Sequence, residues 1–246
     1  MIALRRSGDR HQVRHKGGET WLSFARPPDG DRDNFGAIVR FEEYRLPPGA
    51  SFPEVRPVDA DIVTYVREGA LVRAPVSGAA TFVHPGEFHR APGADVVPTK
   101  VSRTQSAHLF RAWLLSATDG TGAEPGVERP EEQRRFSAAE RHGLLCVVAS
   151  SDARNGSLVL RADAVVLSAI LEPGQHVVHE LVEGRIAWLH IVCGQGALAS
   201  IELNAGDGVG LSAERSVSFT ARDATEIILL DVGAPATRSS SSGGVS

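Results

Sequence analysis

The sequence predicts an all-β protein built as two similar antiparallel barrels in one chain, with few short helices. Three observations lead there. Short runs rich in Val, Ile, Leu and Phe are broken by Gly and Pro at close intervals, as strands joined by tight turns require. A turn–strand–glycine rhythm occurs twice, 125 residues apart. Between the copies, residues 116–135 are dominated by Ser, Thr, Gly, Pro and Glu, with almost nothing to bury.

In chain order, Ala37 to Leu46 alternates and ends at the turn Pro47-Pro48-Gly49. Ile62 to Val66 reads as a strand that Arg67-Glu68-Gly69 turns. Ala70 to Ala74 and Ala80 to His84 frame Pro75-Val76-Ser77-Gly78-Ala79, a hairpin with turn chemistry. His108 to Leu115 is a further apolar strand. The second β-rich part follows from Phe136. Leu46-Pro47-Pro48-Gly49 is echoed by Leu171-Glu172-Pro173-Gly174, Ile62–Gly69 by Ala187–Gly194, and Pro85-Gly86-Glu87 by Ala205-Gly206-Asp207. The expected division is a first barrel over 1–118, a linker over 119–135, a second barrel over 136–235, and a disordered Ser/Gly-rich tail over 236–246. Trp113 and Trp188 are expected on matching strands, as core residues.

The 246 residues, 42% apolar and 23% charged, describe an ordinary globular chain with room for two medium cores. A formal charge of −4 gives no reason to expect nucleic acid. The first sixteen residues are locally basic, which reads as a surface arm without a specific partner. No apolar run suits a signal peptide or a membrane span. Cys146 and Cys193 each sit in an apolar run, so two buried thiols are expected rather than a disulfide, and with them a cytoplasmic location.

Several strings resemble the pirin family. Gly18-Glu19-Thr20-Trp21-Leu22-Ser23-Phe24-Ala25 is similar to the segment where pirins carry Gly-Trp and then Phe-Ser-Phe. Asp33-Asn34-Phe35-Gly36 resembles their Asp-Pro-x-Phe-x-Gly. Asp61-Ile62-Val63-Thr64-Tyr65-Val66-Arg67-Glu68-Gly69 resembles the strand after their metal-binding turn, and Gly86-Glu87-Phe88 their Gly-Glu turn. The most specific strings are Glu132-Gln133-Arg134-Arg135-Phe136 and Ser151-Asp152-Ala153-Arg154-Asn155-Gly156-Ser157-Leu158. The resemblance spans about residues 1–235. It implies two cupin barrels (double-stranded β-helix, jelly roll) packed face to face, usually in a monomer. It also implies a metal, most often iron, in the first barrel, held by a His-x-His pair and a later His-x-Glu pair. Some members of the family cleave flavonols such as quercetin with dioxygen. Others act as transcriptional cofactors or bind metabolic enzymes, and one branch lacks the ligands.

Carried over residue by residue, the ligand positions fall on Val55, Pro57, Pro98 and Lys100. None of these side chains suits a metal: Val and Pro offer no lone pair, and lysine is a cation at neutral pH. No histidine lies between His15 and His84 or between His89 and His108. A fallback site would combine His89 with Glu54, Asp59 and Asp61 as oxygen ligands. In the second half, His176 and His179 differ by an odd number, so a strand points them to opposite faces. His190 reads as a core or cavity histidine.

The preferred expectation is a non-catalytic, regulatory protein of this family with a degenerate metal site. It would hold no cofactor and would bind a small apolar ligand or a protein partner, as a monomer, away from nucleic acid and membrane. The alternative is a quercetin 2,3-dioxygenase-type oxidoreductase using iron or another divalent metal at a shifted site near His89.

Overall fold

A computed structural model of the chain describes residues 1–15, 17–24, 34–52, 59–74, 79–93, 99–116 and 130–233. Glu54, Val55, Pro57 and Pro98, the Pro75–Gly78 hairpin turn, most of the expected linker and the Ser/Gly tail lie outside the described residues. The chain is strand-rich, as expected. The first half contains β1 (Ile2–Arg5), β2 (His11–His15), β3 (Gly18–Phe24), β4 (Ile38–Leu46), β5 (Ala60–Glu68), β6 (Leu71–Arg73), β7 (Thr81–Val83), β8 (Glu87–Pro92), β9 (Thr99–Val101), β10 (Ala107–Leu115) and β11 (Glu132–Arg135). The second contains β12 (Cys146–Ser150), β13 (Leu158–Val159), β14 (Ala164–Leu171), β15 (His176–Glu180), β16 (Arg185–Cys193), β17 (Gln195–Leu198), β18 (Ile201–Asn204), β19 (Gly208–Ser212), β20 (Ser216–Ala221) and β21 (Thr225–Gly233).

Each half is a sandwich of a large and a small sheet, not a continuously hydrogen-bonded barrel. The N-terminal half pairs the sheet β11-β8-β5-β10-β4-β3-β2 with β7-β6-β9. The C-terminal half pairs β1-β19-β16-β21-β14-β12-β13 with β15-β20-β17-β18. The duplication is explicit in the strand order: β8-β5-β10-β4 in one large sheet corresponds to β19-β16-β21-β14 in the other. The matching turns rest on matching glycines. Gly69 (φ 76°) and Gly194 (φ 82°) both lie in the left-handed region, and a Cβ would stand 2.2 Å from Ser106 O at the first and 2.4 Å from Ala224 O at the second. This correspondence corrects one expectation. Trp113 lies on β10 and Trp188 on β16, which are not equivalent strands.

Side chains alternate across each large sheet, so each has an inner face toward its own small sheet and an outer face. The two outer faces pack on each other. Val63, Tyr65, Phe88, Phe110 and Leu114 of the first half meet Val148, Val166, Trp188, Ile228 and Leu230 of the second in one buried cluster. This shared cluster fuses the two sandwiches.

Polar ties reinforce this contact. Strand β1 crosses over to pair with β19 of the C-terminal half. The basic arm is therefore not an unpartnered surface segment: Arg6 pairs with Asp207 at 2.8 Å, and Arg10 with Glu43 at 2.7 Å in a buried bridge. Strand β11, which falls within the stretch expected as linker, pairs with β8. Its Arg134 donates to the carbonyls of Asn155 and Gly156 and pairs with Glu140 at 2.9 Å. Ala153 and Asn155 hold positive φ (56° and 57°) to present those carbonyls. The two most specific strings of the sequence thus form one structural clasp. The short helix α1 (Ala138–Arg141) starts there on a capping box between Ser137 and Glu140. No helix among the described residues is long and apolar enough to cross a membrane.

Candidate functional site

The interior of the N-terminal half is apolar at one end and charged at the other. Tyr44, Leu46, Val66, Leu71, Val83, Val101 and Leu109 form the apolar part. The same inward positions, continued along their strands, carry Arg40 and Glu42 on β4, Arg73 on β6, His89 on β8, and Arg111 and Trp113 on β10. Period two dictates this: Leu109, Arg111 and Trp113 share one face of β10, while Phe110, Ala112 and Leu114 face the other half.

Two polar groups form there. Glu42 accepts hydrogen bonds from Tyr44 Oη (2.7 Å) and Trp113 Nε1 (2.9 Å), and Arg40 stands 3.4 Å from its other oxygen. Burial, then the Glu42 charge, raises the Tyr44 phenol well above its usual range, so it stays a donor. Arg73, only 6% exposed, reaches His89 Nε2 at 2.5 Å and Glu131 Oε1 at 2.5 Å. An imidazole nitrogen that accepts from a guanidinium must be neutral. Burial agrees, pushing the His89 pKa below its ordinary value despite Glu131, 3.3 Å away. Glu131 is held below the usual carboxylate range: its own burial opposes this, but the contacts with His89 and Arg73 outweigh it.

Arg111 belongs to neither group. Its guanidinium carbon lies 5.2 Å from the Phe52 ring centroid and 5.1 Å from that of Trp113. Its Nε is buried without a hydrogen-bond partner, and no carboxylate among the described residues comes within ion-pair distance of it.

The residues proposed from sequence as ligands do not converge. Lys100 pairs with Val72 on the small sheet and is exposed, while its neighbour Val101 is buried in the interior, so the lysine points outward. Asp59 is exposed, 3.1 Å from Arg161 and bonded to Ser116. Asp61 and His89 lie on opposite faces of one sheet: His89 pairs with Thr64 on the inner face, whereas Asp61 shares the outer face with Val63 and Tyr65. Fully buried, Asp61 accepts from the backbone amides of Arg161 (2.5 Å) and Ala162 (3.1 Å) in the other half. Among the described residues, no group of three His, Cys, Asp or Glu side chains is arranged to hold a metal ion. Among the described residues, the imidazole inside the N-terminal half has a cationic guanidinium beside its ring nitrogens, and these residues do not fit the metal that the resemblance implies.

The remaining candidates are structural. His176 is exposed and bonded to Thr220, while His179 turns inward to Asp231 at 2.7 Å; the two do point to opposite faces. His190 is fully buried between the halves, 4.7 Å from the Phe41 ring. Both thiols are free, but half-buried rather than buried. A cleft of about 370 Å3 opens between the halves beside Tyr65, Arg67, Arg141 and Glu226. Tyr65 and Arg141 donate to Glu226 there, at 2.5 and 2.7 Å, while Arg141 Nε is buried without a hydrogen-bond partner.

Sequence reasoning missed Arg40, Glu42, Arg73, Arg111 and Glu131. A signal existed for two of them. Arg73 and Arg111 interrupt otherwise apolar strands at positions whose neighbours two residues away point inward.

Comparison with known proteins gives a consistent result. Residues 147–232 match the family model described as the quercetinase C-terminal cupin domain. A Zymomonas mobilis protein provisionally named quercetin 2,3-dioxygenase is 30% identical over 226 residues, covering 91% of this chain and 92% of the relative. The quercetin 2,3-dioxygenase of Escherichia coli K12 is 28% identical over 237 residues, covering 94% and 99%. The crystal structure of the bacterial pirin YhhW from Escherichia coli in complex with nickel(II) superposes with a TM-score of 0.81 at 26% identity, covering 95% of this chain and 100% of that one. With the duplicated cupin sandwiches described above, these matches show that the chain belongs to the pirin family of two-cupin proteins.

Proposed function

We propose that this protein is a pirin that works by binding rather than by metal-dependent oxygen chemistry, with the interior of the N-terminal half as its small-molecule site. One observation carries the proposal. The Arg73 guanidinium lies against the His89 ring, its Nη1 2.5 Å from Nε2 and 3.1 Å from Nδ1. A ligand to iron or nickel must present a free lone pair, and a neighbouring fixed cation opposes a second positive charge. The sequence supports the same reading, with Val55, Pro57, Pro98 and Lys100 at the positions where the family's ligands align. We further place the protein in the cytoplasm, on its two free thiols, and propose that it works as a monomer.

The competing reading follows from the names of its relatives, which include quercetin 2,3-dioxygenases. It would use His89 with Glu131 around a divalent metal. Oxygen uptake with quercetin, measured on protein reconstituted with iron(II) or nickel(II), decides between them. The binding reading expects no uptake beyond that of the free metal, and no change in His89→Ala. Metal-dependent uptake that His89→Ala abolishes would overturn it.

A further inference from the structure

We infer that the N-terminal interior is a carboxylate site, centred on Arg111, and that its ligand is a small planar organic anion. The inference deepens the binding reading by naming the ligand class of the same chamber.

The argument starts from charge. Arg40, Arg73 and Arg111 point into this interior, against the carboxylates of Glu42 and Glu131. Both carboxylates are spent. Glu42 already takes Tyr44, Trp113 and Arg40, and Glu131 takes Arg73. His89 adds no negative charge. Among the described residues one guanidinium is therefore left over, and it is Arg111. Its positive charge is felt by its neighbours: it disfavours the protonated forms of both Arg73 and His89. A half-buried cation among other cations is costly unless something offsets it.

The aromatic rings of Phe52 and Trp113 offset part of that cost through cation–π contact. They also define what fits. Rings within about 5 Å of its guanidinium carbon hold Arg111 in place and leave its planar fork to meet a ligand edge. Such a fork matches a carboxylate with two parallel hydrogen bonds. Tyr44, 5.2 Å from Phe52 between ring centroids, extends the aromatic wall. An aromatic or otherwise planar acid satisfies both features: the carboxylate neutralises Arg111 and the apolar body lies against the rings. A purely apolar ligand would leave the guanidinium desolvated and unpaired.

Benzoate is the probe, titrated into the full-length protein by calorimetry and by tryptophan fluorescence, with neutral benzamide and inorganic phosphate as comparisons. Benzoate should bind and benzamide should not. Arg111→Lys and Arg111→Leu should each weaken benzoate by roughly tenfold or more, since a lysine offers a point charge in place of the fork. Arg222→Gln, at an exposed ion pair with Glu202, should change nothing. Near-ultraviolet circular dichroism verifies that the Arg111 variants are folded. The inference is overturned if benzoate fails to bind at about 10 mM, if it binds folded Arg111→Leu as well as wild type, or if phosphate binds better. Uptake of benzamide equal to benzoate would also overturn it while leaving the binding reading intact, whereas metal-dependent oxygen uptake would overturn that reading itself.

Discussion

The two halves answer the same structural question in opposite ways at one rung of their large sheets. In the N-terminal half, Arg111 pairs across the sheet with Glu42 on one side and Thr64 on the other. At the corresponding rung of the C-terminal half, Leu229 stands between Leu167 and Leu189. The three leucines are buried in one apolar cluster with Leu171, Val209 and Phe219. Gly196 shows how full it is: a Cβ there would stand 2.1 Å from the Phe219 ring. Charges in this interior are confined to one end and fully paired, with Arg185 donating to Asp231 (2.5 Å) and Asp163 (2.8 Å), and His179 to Asp231. One scaffold thus supplies a packed core on one side and, on the other, an interior holding a cation without an ion-pair partner among the described residues. Fold and site are separable within a single duplicated chain.

The contrast can be tested through stability. Leu229→Ala should have the largest effect, a loss of about 3 kcal/mol in denaturant unfolding, because it removes transfer energy and leaves a cavity in a close-packed core. Arg185→Met comes next, at about 2 kcal/mol. It leaves Asp231 buried without its cation, but the arginine is 16% exposed, which places the loss below that of a fully buried pair. The layer between the halves gives a third, pH-dependent effect. Burial, then the Arg10 charge, holds His190 down to about 3 from its ordinary 6.5. The unfolded chain therefore takes up a proton near pH 6.5 while the folded chain does not. Stability from this group is complete above that pH and falls on acidification, by about 1.4 kcal/mol per pH unit for one proton. His190→Phe should flatten the slope between pH 6.5 and 4.5, leaving only the part due to His89, whose pKa is also lowered. Below 4.5 a further loss follows in both proteins. Glu43 is held at about 2 despite its burial, chiefly by its bond from His108, and its stabilisation disappears as pH falls toward that value. The smallest effect belongs to Arg111→Leu, which copies the C-terminal rung. It should leave stability within about 1 kcal/mol of wild type or raise it, since a cation with no ion-pair partner among the described residues is replaced by an apolar side chain. A loss of several kcal/mol would show that Arg111 is a structural residue.

Much of the fold was legible in the sequence because the turns carry it. Gly69, Gly86, Gly194 and Gly206 all hold positive φ, and their spacing exposes the duplication before any contact is known. The histidine-free stretches between His15 and His84 and between His89 and His108 were legible too, since they are a fact of composition. Pairing at long range was not. Nothing local says that β1 leaves its own half to join β19, or that Arg10 will bury itself against Glu43. The fallback site failed for a similar reason. Asp61 and His89 are each one strand residue from the face that would have united them, and face depends on register, which a single strand does not reveal. Arg111 escaped notice because a charged residue in a strand ordinarily faces water.

Metal content tests the central claim most directly. Purified protein, and protein reconstituted with iron(II) or nickel(II) and then passed through gel filtration, should be assayed by elemental analysis. Binding without metal chemistry predicts less than about 0.1 ion per chain in both samples. About one ion per chain, retained through the column, would contradict it.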